Sequence, residues 1–456
     1  MGKKWAIITL LKEKNFYRRF FALTATIALQ NLIVFSVNLA DNIMLGAYSE
    51  LAMSGVAMAN QFQFLLQQIS MGIGAGAAVI AAQYWGKRQT QPIRRVFVVA
   101  FWLGLAVSLG MALAAGFRPE QVLRLLTNEN AVINQGAVYM RIMAFSYPIF
   151  MATNLYFSIL RSVETVKIGF WVSLSTLFVN ISLNYVLIYG HFGFPELGVR
   201  GAAYATLIAR IIEFLIMAVY VHRFDKKLCL RPRHYSRLER GYLRDYFKTG
   251  LPLMLSSLSW GVAMNIQGAI LGRLGAAAIA ANAIAATLFQ VISVLTYASA
   301  SASSVLVGKA VGEGDLSRVR AMAKTLQLLF LGIGLCSGLL LFGARDFIVG
   351  IYKASPETAA LARQFILVLC VTIAGTAYQM PCLTGIVSGG GDTRFVLFND
   401  LIFMWGIVLP VSLLSAFVFR WPVLAAFICL KADQILKCGV AVVKVNRFRW
   451  VRKLTR

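Results

Sequence analysis

Of the chain's 456 residues, 59% are hydrophobic and 14% charged, where an ordinary soluble domain carries about 25% charged residues, and the mean hydropathy is +0.71. These values exclude a soluble globular protein and describe an integral membrane protein. The formal net charge of +26 does not point to nucleic acid, because Lys and Arg fall in short clusters between long apolar runs, which is the pattern membrane topology produces.

The first segment, MGKKWAIITLLKEKNFYRRFF, is basic and mildly amphipathic. It runs into a full-length apolar stretch without a small-residue cleavage site, so it reads as a retained arm and not a signal peptide. Apolar runs then occur at 20–46, 53–84, 96–116, 130–159, 168–190, 198–222, 247–272, 279–309, 321–343, 358–387, 395–419 and 422–444. They predict an all-α integral membrane fold of twelve transmembrane helices, the longest of which must tilt, bend or extend past the hydrocarbon core. Of the basic residues in the connections, 32 lie on the side of the N-terminus and 7 on the other, which places both termini in the cytoplasm of a multi-pass plasma-membrane protein.

The long polar connection from Arg223 to Gly250 divides the apolar sequence into halves of similar size. The expected organisation is an N-terminal lobe (1–222), a basic cytoplasmic linker (223–249) and a C-terminal lobe (250–456). The halves also match each other: Leu45-Gly46 with Leu271-Gly272, Gly86 with Gly312 and Arg94 with Arg320 share an offset of 226, and 161–165 falls over 389–393. With an even number of spans in each half the repeats are parallel, giving two six-helix bundles related by a pseudo-two-fold axis along the membrane normal. A central cavity that opens to each side in turn is the expected binding place, and that is transporter architecture.

Polar residues inside the spans are the functional candidates. Asp41 sits near the far end of the first run, where a carboxylate costs roughly 3 kcal/mol by insertion scales. It either faces a wet cavity or marks the end of the helix at headgroup depth. In the second span Gln61, Phe64, Gln67 and Gln68 precede a run of small residues; the small residues read as close packing, and the amides as the lining of a polar substrate pocket. Asn180 and Asn184 in the fifth span are at i and i+4, on one helical face. They either coordinate a cation and hydrogen-bond an acid, or bond one another and a neighbouring helix as structural glue.

Spacing neutralises other charges. Arg210 with Glu213 and Asp433 with Lys437 can pair along their own helices. Asp400 has no basic residue at i±3 or i±4 and is a second functional candidate, for the substrate cavity; Arg141 and Lys431 also lack a local partner. The six cysteines have no CxxC spacing, and the three histidines lie at loops or span edges, so neither a metal centre nor an intramembrane enzyme is expected. SerGlyGlyGlyAspThr at 388–393 follows no strand and reads as a tight turn, not a phosphate cradle, so no nucleotide or other cofactor is expected, and transport is expected to be driven by an ion gradient or to run downhill.

Several of these segments resemble the multidrug and toxic compound extrusion (MATE) family. They are AspAsnIleMetLeuGly at 41–46, AlaAlaGlnTyrTrpGlyLys at 81–87, AsnIleSerLeuAsnTyrValLeuIleTyrGly at 180–190, PheProGluLeuGlyValArgGlyAlaAlaTyrAlaThr at 194–206 and SerGlyGlyGlyAspThrArg at 388–394. The resemblance covers nearly the whole chain. It implies export of amphipathic, often cationic, organic compounds in exchange for protons or sodium ions, by a monomer working in membrane lipid. Asp41 matches the acid that the DinF-like branch uses for coupling, Asn180 a polar partner, and Thr206 a sixth-span hydroxyl; Asn184 stands where relatives often carry a second Asp. If sodium is the coupling ion, the resemblance makes Asp41, Asn180 and Asn184 its ligands. Two features depart from the pattern: no proline precedes Pro92, and the seventh span lacks the Glu of the NorM-like branch. The rival readings are a flippase for lipid-linked or amphipathic glycan precursors and, less well supported, an intramembrane enzyme.

Overall fold

Inside a bilayer every backbone N–H and C=O must be satisfied within the protein, and the described residues of this chain do so with helices. The computed structural model describes residues 10–236, 238–352 and 354–456, so the first nine residues with Lys3 and Lys4, Arg237 of the basic connection, and Lys353 lie outside the described residues. The first half comprises α1 (Lys14–Tyr48), α2 (Glu50–Gly86), α3 (Thr90–Phe117), α4 (Pro119–Arg124), α5 (Asn130–Met143), α6 (Ser146–Ser162), α7 (Lys167–Tyr189) and α8 (Val199–Val219). The second comprises α9 (Arg240–Gly272), α10 (Ala276–Glu313), α11 (Leu316–Ile351), α12 (Pro356–Met380), α13 (Thr393–Asp400), α14 (Leu409–Leu413), α15 (Val423–Lys431) and α16 (Asp433–Asn446). Among the described residues there is no strand.

Among the described residues nine segments are long and apolar enough to cross a membrane unaided, and α5 with α6 makes a tenth. The two other predicted runs are helical as well. In α9 the polar side chains of Ser256, Ser257, Ser259, Asn265 and Gln267 lower the hydropathy, and the last run is divided at Ala432 into α15 and α16.

Proline accounts for two departures from straight spans. The fourth predicted span is bent by 57° between α5 and α6. Pro148, in the first turn of α6, has no N–H to give and its ring crowds the carbonyl of Ala144, the residue at the bend. Pro381 opens α12 into the π-helical turn Pro381–Val387 by the same loss of a donor. By contrast α1, which has no proline, is one unbroken helix through Asp41.

The chain divides into two compact units. One is residues 29–81 with Gln89–Leu258; the other takes the residues up to Ala28, Ala82–Arg88 and Ser259–Arg456. In the first unit the basic connection is folded against the helices: Arg94 Nε donates to the Leu228 carbonyl at 2.5 Å, Lys227 Nζ to Val163 at 2.6 Å, and Trp102 Nε1 to Tyr235 at 2.8 Å. Helix α2 crosses α9 at glycines, since a Cβ on Gly72 would lie 2.4 Å from Met254 Cα and one on Gly76 would lie 2.5 Å from Gly250 Cα.

In the second unit the internal repeat takes physical form. A Cβ on Gly86 would meet the Lys309 carbonyl at 2.1 Å, and a Cβ on Gly312 the Gln83 carbonyl at 2.0 Å, so equivalent glycines from the two halves make reciprocal close approaches. The chain end is built onto the same place. Trp450 is fully buried against Gly390, Arg452 N–H donates to the Gly390 carbonyl at 2.7 Å, and Gln83 bonds Arg452 and Leu454 at 3.1 and 2.9 Å. Asp392 in the glycine turn is 2% exposed and holds Lys444 at 2.8 Å and Arg452 at 3.1 Å, which explains an acid that the turn alone does not require.

Candidate functional site

Asp41 lies two turns before the end of α1, 9% exposed. Residues from two further helices converge on it. The i, i+4 spacing puts Asn180 and Asn184 of α7 on one face, both fully buried, and that face meets α1. Thr206 comes from the buried face of α8. Asn184 Nδ2 donates to Asp41 Oδ1 in a short hydrogen bond and to Asn180 Oδ1 at 3.1 Å; Asn180 Nδ2 donates to Thr206 Oγ1 at 3.3 Å; Thr206 Oγ1 donates to Asp41 Oδ2 at 3.5 Å. Tyr189 fixes α7 to the end of α1 through a 2.8 Å bond to the Met44 carbonyl.

The donors around the carboxylate are therefore neutral. Among the described residues no Lys or Arg makes an ion pair with Asp41. One acceptor is also left over, because Asn184 Oδ1 is buried without a hydrogen-bond partner among the described residues. The oxygen set, two from Asp41 with the amide oxygens of Asn180 and Asn184 and the Thr206 hydroxyl, is the hard-ligand chemistry a sodium ion takes. A half-turn of the Asn184 amide would aim its oxygen where its NH2 now points. The same turn would accept a hydrogen bond from a protonated Asp41, so the network can serve either monovalent cation.

Arg210 stands one turn beyond Thr206 on the same face of α8, with Glu213 following, while Tyr204, Ile208 and Leu215 occupy the opposite, exposed face. Arg210 and Glu213 interact electrostatically along α8, as their spacing predicts, but without a close salt bridge. The guanidinium stacks on Phe150 at 4.3 Å and its Nε has no acceptor among the described residues. Aromatic stacking over the neighbouring helix competes here with a same-helix carboxylate.

In α2 the helical turn puts Gln61, Phe64 and Gln68 on one face and Gln67 on another. Gln68 is buried and Gln67 exposed, and the Gln61 amide makes a weak local contact with Met58 Sδ at 3.8 Å. In the second unit Asp400 has a partner that its own helix does not supply: Lys437 Nζ lies 2.9 Å from Asp400 Oδ1 and 3.5 Å from Asp433 Oδ2. Lys431 reaches Gln267 Oε1 at 3.3 Å, and Arg141 pairs with Glu120 at 2.5 Å. These three partnerships join residues 21 to 164 positions apart and leave no periodic trace in the sequence.

The MatE family model matches residues 26–186 and 252–414, once in each half. Over 437 residues the chain is 26% identical to the uncharacterized transporter YisQ of Bacillus subtilis, covering 95% of each chain. It is also 26% identical to the probable multidrug resistance protein NorM of Xylella fastidiosa over 83% of this chain and 81% of that one. A MATE crystal structure in complex with MaL6 superimposes with a TM-score of 0.85 at 19% identity, covering 95% and 96% of the two chains. That likeness gives the fold: an all-α integral membrane protein of twelve transmembrane helices in two six-helix bundles.

Proposed function

The chain belongs to the MatE family, and on that premise we propose that it is a secondary antiporter, exporting amphipathic cationic organic compounds in exchange for H+ or Na+ by alternating access. The observation that carries this reading is the Asp41 carboxylate, held by Asn184 and Thr206 and paired with no basic side chain among the described residues. An intramembrane acid whose hydrogen-bond donors are all neutral keeps its charge available for something that arrives from outside.

In the proposed cycle the ionised form of Asp41 favours capture of a cationic substrate from the cytoplasm. A proton or sodium ion reaching Asp41 from the other side neutralises it, turns the Asn184 amide and favours release and return. Gln61, Phe64 and Gln68 share one face of α2 and supply amide and aromatic contacts for a flat amphipathic molecule, with Gln67 and Asp400 as further polar contacts along its route. The protein works in the plasma membrane as a monomer with both termini in the cytoplasm, the orientation its basic connections favour.

The test is efflux from proteoliposomes under a proton gradient alone and a sodium gradient alone. Wild-type protein is expected to respond to at least one, and Asp41→Asn to neither. Wild-type efflux that responds to neither gradient would exclude antiport.

A further inference from the structure

A second site lies away from Asp41, where α3 begins. It is a cavity of about 350 Å3 lined by Gln91, Arg94, Arg95, Arg233 and His234. Two of these residues, Arg94 and Arg95, come from the second turn of α3; Arg233 and His234 come from the short 3-10 turn Pro232–His234 of the basic connection.

Three of the side chains, Arg94, Arg95 and His234, are held in place. Arg94 Nε is engaged by the Leu228 carbonyl at 2.5 Å and Arg95 Nε by Glu239 at 3.1 Å, which fixes the planes of both guanidinium groups. His234 Nδ1 accepts the Arg231 N–H at 2.9 Å, so in the neutral ring Nε2 carries the hydrogen and is a donor. Tyr235, the next residue, is pinned by the Trp102 bond, by a 2.9 Å bond to the Tyr156 hydroxyl and by an edge contact with Phe101 at 5.0 Å. The connection therefore has a defined shape against α3.

What this arrangement lacks is negative charge. Glu239, about half exposed, answers Arg95, but the guanidinium of Arg233 makes no hydrogen bond or ion pair with any described residue. Burial, and then the field of Arg94, Arg233, Arg95 and Arg231, holds the His234 imidazole below its ordinary value. Gln89, which precedes α3, gives no side-chain cap, so backbone N–H groups of the first turn are also without helical acceptors. A planar fork of N–H donors matches a tetrahedral oxyanion, and several forks around one cavity match it better than any carboxylate.

We infer that this cavity binds a phosphate group, which ties the basic connection to the start of α3. The helix is a membrane span and the cavity lies at its first turns, so the phosphate can come from an anionic phospholipid headgroup or from a free phosphate in the adjoining aqueous phase. Either source would neutralise the same arginines.

Thermal unfolding of the purified full-length protein in phosphate-free detergent, at constant ionic strength, separates the sources. Three probes are titrated: inorganic phosphate, short-chain phosphatidylglycerol, and phosphatidylcholine with the same chains. Stabilisation by phosphatidylglycerol beyond phosphatidylcholine assigns a lipid headgroup, and stabilisation by inorganic phosphate a free anion. In either case Arg233→Gln, which breaks no hydrogen bond or ion pair within the described protein, should weaken the effective probe's apparent affinity about tenfold or more. Arg94→Gln should do the same, although it also removes the hydrogen bond to the Leu228 carbonyl. The inference is overturned if no probe raises the unfolding temperature, if both lipids act equally and inorganic phosphate has no effect, or if Arg233→Gln responds as the wild type does.

Discussion

Replacing Asp41 by Asn isolates charge from shape. The new side chain is nearly isosteric: its oxygen can still accept from Asn184, while its NH2 reverses the 3.5 Å contact by donating to the Thr206 hydroxyl, whose own hydrogen must turn to another acceptor. Losing charge-assisted acceptance costs about 1 kcal/mol, and removing a buried charge offsets part of it, so the folded state should change little. Cation binding should change a great deal. A unit charge 4 Å from a carboxylate gains about 4 kcal/mol at an effective dielectric constant of 20, on the order of a thousandfold in affinity. Efflux of a fluorescent organic cation from proteoliposomes, measured under imposed proton and sodium gradients, should lose its dependence on either ion, while the thermal unfolding midpoint stays near wild type. A correctly folded variant that still exports at the wild-type rate under the gradient would refute the role given to Asp41.

Lys437→Met should destabilise by about 3–5 kcal/mol, because Asp400 and Asp433 would be left in the interior without their shared cation; thermal unfolding of this variant and of the triple variant that also carries Asp400→Asn and Asp433→Asn, which should recover part of the loss, checks it. Gly76→Val places a branched side chain where even a Cβ lies 2.5 Å from Gly250 Cα, and should cost about 3 kcal/mol or lower the yield of folded protein, read by size-exclusion chromatography in detergent. Trp450→Ala empties a fully buried site against Gly390 and should cost about 3–5 kcal/mol, with faster proteolysis of residues 451–456 as a local readout. A membrane potential imposed with potassium and valinomycin should leave export of a monovalent cationic substrate nearly unchanged, since one carboxylate exchanges one charge for another.

Much of the site was legible because it rests on local rules. A carboxylate in an apolar run is costly wherever it is, and two amides at i and i+4 must share a face, so Asp41, Asn180 and Asn184 could be singled out before their contacts were known. Their mutual contact could not, since it depends on how α1, α7 and α8 pack. Local rules were also incomplete. Spacing couples Arg210 with Glu213, and the guanidinium also stacks on Phe150 of α6, a neighbour that no periodicity announces. Asp400 has no partner along its own helix, and its lysine comes from 37 positions downstream. Gln67 and Gln68 are adjacent in sequence yet a helical step of about 100° separates their faces, which is why one is exposed and the other buried. The bend at Ala144 was hidden because Pro148 lies inside an apolar run that hydropathy cannot divide.

The charges around Asp41 also bear on how such an exchange is driven. In the proposed antiport the site offers a single carboxylate, so it holds one monovalent cation at a time, and Arg210, one turn along α8 on the same face, opposes a second. Exporting a monovalent cation against one proton or sodium ion moves no net charge, so the roughly 2.3 kcal/mol per charge available from 100 mV contributes nothing. The chemical gradient of the coupling ion must then supply the whole driving force. Competition for Asp41 is what makes that gradient usable, because a carboxylate that could hold ion and substrate together would let both cross in the same direction. Neutral donors suit this task better than a fixed lysine would: Asn184 and Thr206 steady the ionised form without satisfying its charge, and leave it for either cation to claim.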